Sequence, residues 1–401
     1  MELLTTLALA VTLTVPARTS ANVSLAAEGR MVVATWSASS PKGDTDIYAS
    51  VSADGGSTFG APVRVNSVAG AAKVNGEQPP RVALSRTSSG APRVAVVWVS
   101  GNKTATVLLS ARSDDGGKTF GAAAIVPGSD AAGNRGWQAA SADNKGVVHA
   151  LWLDHRGLVS TTGPAATHTH THGASAASSD GVEMAQRSAL YASVVGRPDS
   201  VRTITNGVCY CCKTAMIIGT DGTVFVAWRH VFPGGIRDIA AAVSKDGGNT
   251  FSAPVKVSDD RWKLNACPDD GPALAIDTGG RLHVVWPTMV KSAAGTDTLG
   301  LFHATSSDGK TFTARERVPT EGLPHHPQIT ASADGGIVVA WDETTGGLRR
   351  VAFARAPASG GTLTRLPQVA DGSYPVAVST AEATIAAWTT AAGIHIQKID
   401  R

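Results

Sequence analysis

Charge is scarce in this chain of 401 residues: Asp, Glu, Lys and Arg make up only 17% of it, and the formal net charge is +3 with histidine neutral. No basic run occurs, which excludes a nucleic-acid surface built on clustered Lys and Arg. The apolar stretch from Leu3 to Val15 is too short for a membrane span. A Gly-rich phosphate loop, a nucleophile elbow and an H-E-x-x-H pair are all missing, so the commonest nucleotide, serine-hydrolase and zinc-protease signatures are absent. Cysteine is limited to four residues, and they fall in two short segments, Cys209-Tyr-Cys-Cys212 and Ala266-Cys267-Pro-Asp-Asp270.

What the chain has in quantity is turns and repeats. Gly 43 and Pro 20 suit a β protein with many turns. Four segments are near copies: Ser52-Ala-Asp-Gly-Gly-Ser-Thr-Phe59, Ser113-Asp-Asp-Gly-Gly-Lys-Thr-Phe120, Ser244-Lys-Asp-Gly-Gly-Asn-Thr-Phe251 and the shorter Ser306-Ser-Asp-Gly-Lys-Thr-Phe312. In each, Asp can accept backbone N–H bonds within its own turn, Gly supplies positive φ, and the closing Phe packs beneath the hairpin. In phase with these turns, seven alternating apolar strands end in Trp36, Trp98, Trp152, Trp228, Trp286, Trp341 and Trp388. The spacing of these Trp residues, from 47 to 76, fits a four-stranded unit and is too short for separate domains.

This pattern predicts an all-β, single β-propeller of seven four-stranded antiparallel blades, with six as the alternative. The last unit, from Tyr374 to Ile399, has room for three strands, so either the N-terminus supplies its outer strand or the blade is short. Residues 1–21 have the length and small-residue ending of an export signal, although no Lys or Arg precedes the apolar core. The propeller is then expected over 22–401, as a periplasmic or secreted monomer. The alternative for the same segment is a buried first strand. An insertion at about 157–180 replaces the third unit's Asp turn and carries His168, His170 and His172, alternating residues suited to capturing Cu(II), Zn or Ni.

The four Asp turns resemble the Asp boxes, or BNR repeats, of the sialidase superfamily of propellers. That resemblance implies an exo-glycosidase acting on acidic glycans, with an arginine clamp for the sugar carboxylate, a Tyr nucleophile activated by Glu and an Asp acid/base. Carried onto this sequence, the roles fall on Tyr374 as nucleophile, Glu343 as its partner, Asp46 (or Asp44) as acid/base, and Arg81, Arg156 and Arg237 as clamp, with Arg229 and Arg349 as further candidates. The family's Arg-Ile-Pro segment has only Gln78-Pro-Pro-Arg81 as a counterpart, reversed in order and one unit later.

The cysteine segments both precede innermost strands of consecutive units, so they should meet near the channel mouth, in the company of Trp137-Gln138, His325-His326 and Tyr374. Two readings follow. Two disulfides, one joining the Cys209 segment to Cys267, would staple neighbouring blades. Alternatively, Cys209, Cys211, Cys212 and Cys267 with His325 or His326 form a copper or zinc site, or one bridge coexists with a redox or metal-binding pair. Vicinal Cys211 and Cys212 on one strand would point to opposite sides. The segments Cys209-Tyr-Cys-Cys-Lys-Thr214 and Asn265-Ala-Cys-Pro268 are also similar to those of exported bacterial BNR propellers described as sialidase-like. Three functions therefore stand open: a sialidase-type enzyme or glycan binder, a metal or redox propeller, and a structural or protein-interaction propeller.

Overall fold

The structure is a computed structural model that describes residues 10–85, 92–101, 105–159, 180–264, 270–291, 295–358 and 360–399. The His168–His172 tract and Cys267 lie outside these residues. The chain forms seven four-stranded antiparallel sheets, as the repeats predict. In the first six blades the strands follow sequence order from the axis outward, as in Thr19–Glu28, Met31–Ser39, Thr45–Ser52 and Val63–Arg64 of blade one. Each innermost strand packs against the next, and the ring closes where Ser373–Ser379 of blade seven meets Thr19–Glu28 of blade one.

The short last unit is completed from the other end of the chain. Val11–Leu13 pairs antiparallel with Gly393–Ile399 as the outer strand of blade seven, with Leu13 opposite Ile394. The segment read as an export signal thus contributes this strand and the first residues of Thr19–Glu28.

The repeated Trp residues hold the blades together. All seven are at most 1% exposed, and each packs in the apolar cluster that its blade shares with the preceding one: Trp36 with Ile385 and Ile394 of blade seven, Trp98 with Ile47 of blade one, and Trp228 with Leu151 and Leu190 of blade three. An indole buried this way needs an acceptor for its N–H. Trp152 donates to Asp154 Oδ2 (3.0 Å) and Trp341 to Glu343 Oε2 (2.9 Å), both acceptors lying two residues further along the same strand.

The Asp turns behave as their sequence implies. Asp54 Oδ1 accepts the backbone N–H groups of Ser57 (3.0 Å) and Thr58 (2.9 Å), while its Oδ2 accepts the Thr58 hydroxyl (2.6 Å). Asp115 and Asp246 repeat the same pattern of bonds to Thr119 and Thr250. These hydrogen bonds hold the exposed Asp54 carboxyl well below the usual carboxylate range. The turns are thus local staples on the outside of the blades, away from the axis.

Candidate functional site

The axial channel is where the innermost strands depart from regular pairing. Four of them carry a bulge at the same place, between Ala21 and Ser24, Gly136 and Ala139, His325 and Gln328, and Ser373 and Val376. The residues at these bulges, Asn22, Trp137, His326 and Tyr374, have φ between 51° and 60°. A left-handed backbone is uncommon for bulky side chains, and a β-bulge re-aims the residue it carries. Here the re-aimed side chains of Asn22, His326 and Tyr374 line one cavity on the axis. Pro327 and Pro375 follow directly, at positions where the bulge has removed the need for a ladder N–H.

Asp342 organises this cavity. It is fully buried, one residue beyond Trp341, and accepts from His326 Nδ1 (2.8 Å), the Tyr374 backbone N–H (2.6 Å) and Arg349 Nε (3.0 Å). His326 Nε2 faces the Glu77 carboxylate at 2.8 Å, and the His326 N–H donates to Asp270 Oδ2 at 2.9 Å. Burial alone would push the His326 imidazolium down, but the carboxylates of Asp342, Glu77 and Asp270 outweigh it and raise His326 to about 9. Glu77 is pushed up by its burial, against the pull of the His326 cation.

Tyr374 lies with its ring 4.1 Å from that of His326, centroid to centroid. Gly76 makes this placement possible, because a Cβ there would fall 2.0 Å from Tyr374 Cζ. Burial, and then the charge of Glu77, raise the phenol above its ordinary value, so Tyr374 is neutral. Lys213, 4% exposed, donates to the Pro327 carbonyl (2.7 Å), and Arg81 Nε donates to the Gln138 carbonyl (2.9 Å). Both also line the cavity. Three carboxylates, Glu77, Asp270 and Asp342, therefore meet four cationic groups, Arg81, Lys213, His326 and Arg349. The enclosed space is about 20 Å³, room for roughly one water.

Of the residues nominated from the sequence, Tyr374, Arg81 and His326 reach this cavity, and Arg349 stands at its edge over the Tyr374 ring. His325 is on the rim, one third exposed, with Nδ1 3.6 Å from Asp270. The others are engaged elsewhere. Strand alternation sends Asp342 toward the axis and Glu343 to the other face, where it accepts from Trp341 and the Glu321 N–H and pairs with Arg365. Asp46 is buried in blade one, accepting from Asn66 Nδ2 (2.7 Å) and the Gly70 N–H (2.7 Å) and pairing with Arg18 (2.9 Å). Arg156 pairs with Asp154 and donates to the Gly128 carbonyl. Glu77 was not singled out from sequence, and Asp342 only as part of the strand end Asp342-Glu343 expected near the channel face, with the role given to Glu343. Glu77 lies in the irregular linker into blade two, and Asp342 is distinguished from Glu343 only by the strand's register.

A second cluster adjoins the channel on the side of blades three and four. Cys209, Cys211 and Cys212 are each 1% exposed, and their Sγ atoms lie within 4.8 Å of one another. The segment is a turn, so the vicinal pair is free of the alternation a strand would impose, and all three sulfurs converge. Cys211 is disulfide-bonded, whereas Cys209 and Cys212 are free thiols, so the two bridges expected for the four cysteines are not formed. Trp137 and Tyr210 pack over the sulfurs. His325 and His326 do not join this group, since carboxylates hold them instead.

Arg237, which was nominated for a sugar clamp, is fully buried here and donates through Nη1 to Cys209 Sγ (3.1 Å). Its other bonds go to the carbonyls of Leu264 (2.7 Å) and Gly181 (3.3 Å). Neighbouring Arg229 is bonded to the carbonyls of Asp270, Arg237 and Pro287. Burial raises a thiol, but at Cys209 the Cys212 S–H (3.2 Å) and the charges of Arg237 and Arg229 prevail and bring it down to about 6. Burial and the adjacent Cys209 push Cys212 well above the ordinary thiol range.

No protein-family model matches this chain, and no curated protein matches its sequence. Solved structures do match. The polysaccharide lyase Uly1 superposes with a TM-score of 0.56 at 10% identity, over 95% of this chain and 90% of that one. The alpha-L-arabinanase of Penicillium chrysogenum in complex with arabinobiose gives 0.52 at 14%, over 98% and 97%. A protein of unknown function from Dyadobacter fermentans gives 0.51 at 15%, over 98% of each chain. At these identities the likeness is one of fold, the seven-bladed propeller.

Proposed function

We propose that this propeller acts on acidic glycans at its axial channel, cleaving a terminal acidic sugar in the manner of a sialidase. The observation that carries the reading is the placement of Tyr374, a neutral half-buried phenol in the same cavity as the Glu77 carboxylate and the cations Arg81 and Lys213. A neutral nucleophile avoids repulsion from an anionic substrate, and cations in excess over carboxylates suit that substrate's carboxylate. In this reading the phenolic oxygen attacks the anomeric carbon while Glu77 takes the phenolic proton. Arg349, with Arg81 and Lys213, holds the sugar carboxylate. The leaving oxygen is protonated at the rim, where His325 lies beside Asp270. The glycan chemistry named for Uly1 and the Penicillium arabinanase supports the reading only as an analogy of fold.

The test is turnover of an aryl sialoside, with an aryl glucuronide as the second acidic substrate. Wild type is expected to release aryl alcohol from one of them, Tyr374→Phe and Glu77→Gln to abolish release, and Glu343→Gln to leave kcat/KM unchanged wherever it folds. No turnover of either substrate at high protein concentration would remove the reading.

A further inference from the structure

The sulfur cluster supports an inference that is independent of the sugar chemistry. We infer that Cys209 and Cys212 form a two-coordinate thiolate site for a soft monovalent metal ion, copper(I). Three observations converge on it. The first is geometric: two free thiols lie 3.2 Å apart, with a third sulfur, Cys211 Sγ, 3.8 Å from Cys209.

The second is charge. Arg229 and Arg237 are buried to 1% exposure or less, and among the described residues neither is paired with a carboxylate. Their described hydrogen-bond acceptors are carbonyl oxygens and the Cys209 sulfur, and Arg229 also lies over the Trp262 ring, 4.6 Å from its centroid. A buried guanidinium demands a compensating anion, and a bis-thiolate complex of a monovalent ion carries one negative charge, placed against Arg237.

The third is ligand type and number. With Cys211 in a disulfide, two free thiols stand together and, among the described residues, no imidazole joins them, which falls short of the four ligands zinc takes in protein sites. Thiolate-only coordination of low number selects copper(I). Binding displaces the S–H protons to the buffer, forms two Cu–S bonds and transfers no electrons. The aromatic cover of Trp137 and Tyr210 would keep water, and with it oxidation to Cu(II), from the bound ion.

The experiment is an anaerobic competition between the full-length protein, its Cys211 disulfide intact, and bicinchoninate for Cu(I), with zinc(II) titrated separately. Wild type should withdraw one Cu(I) per chain and take up no stoichiometric zinc. Cys209→Ser and Cys212→Ser should each lower the apparent affinity by more than about 100-fold, and Arg237→Met, which removes only an outer partner, by about tenfold. If the serine variants fail to fold, X-ray absorption of copper-loaded wild type decides instead, with a shell of sulfur only as the expected result. A nitrogen-dominated shell, stoichiometric zinc uptake, or two free thiols that leave copper with the competitor would each overturn the inference.

Discussion

The channel and the sulfur pocket lie side by side and both bury positive charge, but they neutralise it by different means. In the channel, His326 and Arg349 are matched by the carboxylates of Glu77 and Asp342. In the sulfur pocket, Arg229 and Arg237 have backbone carbonyls and a single thiol. A network that supplies its own carboxylates is pre-organised around a proton that Glu77 and His326 can share. One that supplies none depends on thiolates, and so on whatever controls the ionisation of Cys209. On the proposed readings, acid/base chemistry belongs to one region and soft-ligand chemistry to its neighbour.

The largest expected effect breaks the channel's side of this contrast. Asp342→Asn removes the charge that holds His326, Arg349 and the Tyr374 N–H, and should cost about 3–5 kcal/mol in denaturant unfolding, the scale for breaking a buried ion pair. A loss below about 1 kcal/mol, no more than a surface pair is worth, would show that the network is not the organising element described.

The pH dependence of stability sharpens the contrast further, because the two regions should have opposite signs. His326 has a folded value near 9, above its unfolded one, so its contribution is complete below about 6.5 and is lost as pH rises toward 9. Cys209 has a folded value near 6, below its unfolded one, so its contribution is absent below about 6 and grows as pH rises toward 9. Each slope is bounded at about 1.4 kcal/mol per pH unit, one proton's worth. Between pH 7 and 8.5, His326→Gln should therefore make stability rise with pH more steeply than in wild type, and Arg237→Met should make it fall. Equal slopes in the two variants would erase the distinction.

The smallest effect is expected at the Asp turns, which serve as a reference for carboxylates that are hydrogen-bonded but exposed. Asp54→Ala should lower the unfolding midpoint only slightly, as the loss of a local cap does, and leave turnover and copper uptake alone.

The architecture was legible because its determinants are local and repeated. A Trp at the end of an alternating strand and an Asp-Gly turn after the next strand announce themselves seven and four times. The channel was legible in part. Tyr374 and His326 were found because they lie at the openings of innermost strands, and Arg81 because the sialidase resemblance carried an arginine onto it. Glu77 was missed because its linker has no periodicity to place it. Asp342 was passed over for Glu343 because their exchange of faces depends on strand register, which the last residues before a turn do not declare. The bulges left a signal in His326-Pro327 and Tyr374-Pro375, since proline inside an inner strand requires a break in its ladder. The cysteine turn was misread in geometry: strand alternation was applied to a segment that leaves the strand.

The most direct test of the channel as a glycosidase site is to trap its intermediate. Incubation with a 2,3-difluoro sialic acid, followed by peptide mass spectrometry, should place a sialosyl adduct on the peptide containing Tyr374, and Glu77→Gln should slow its formation. An adduct on any other residue, or an unmodified Tyr374 peptide after prolonged exposure, would contradict the account.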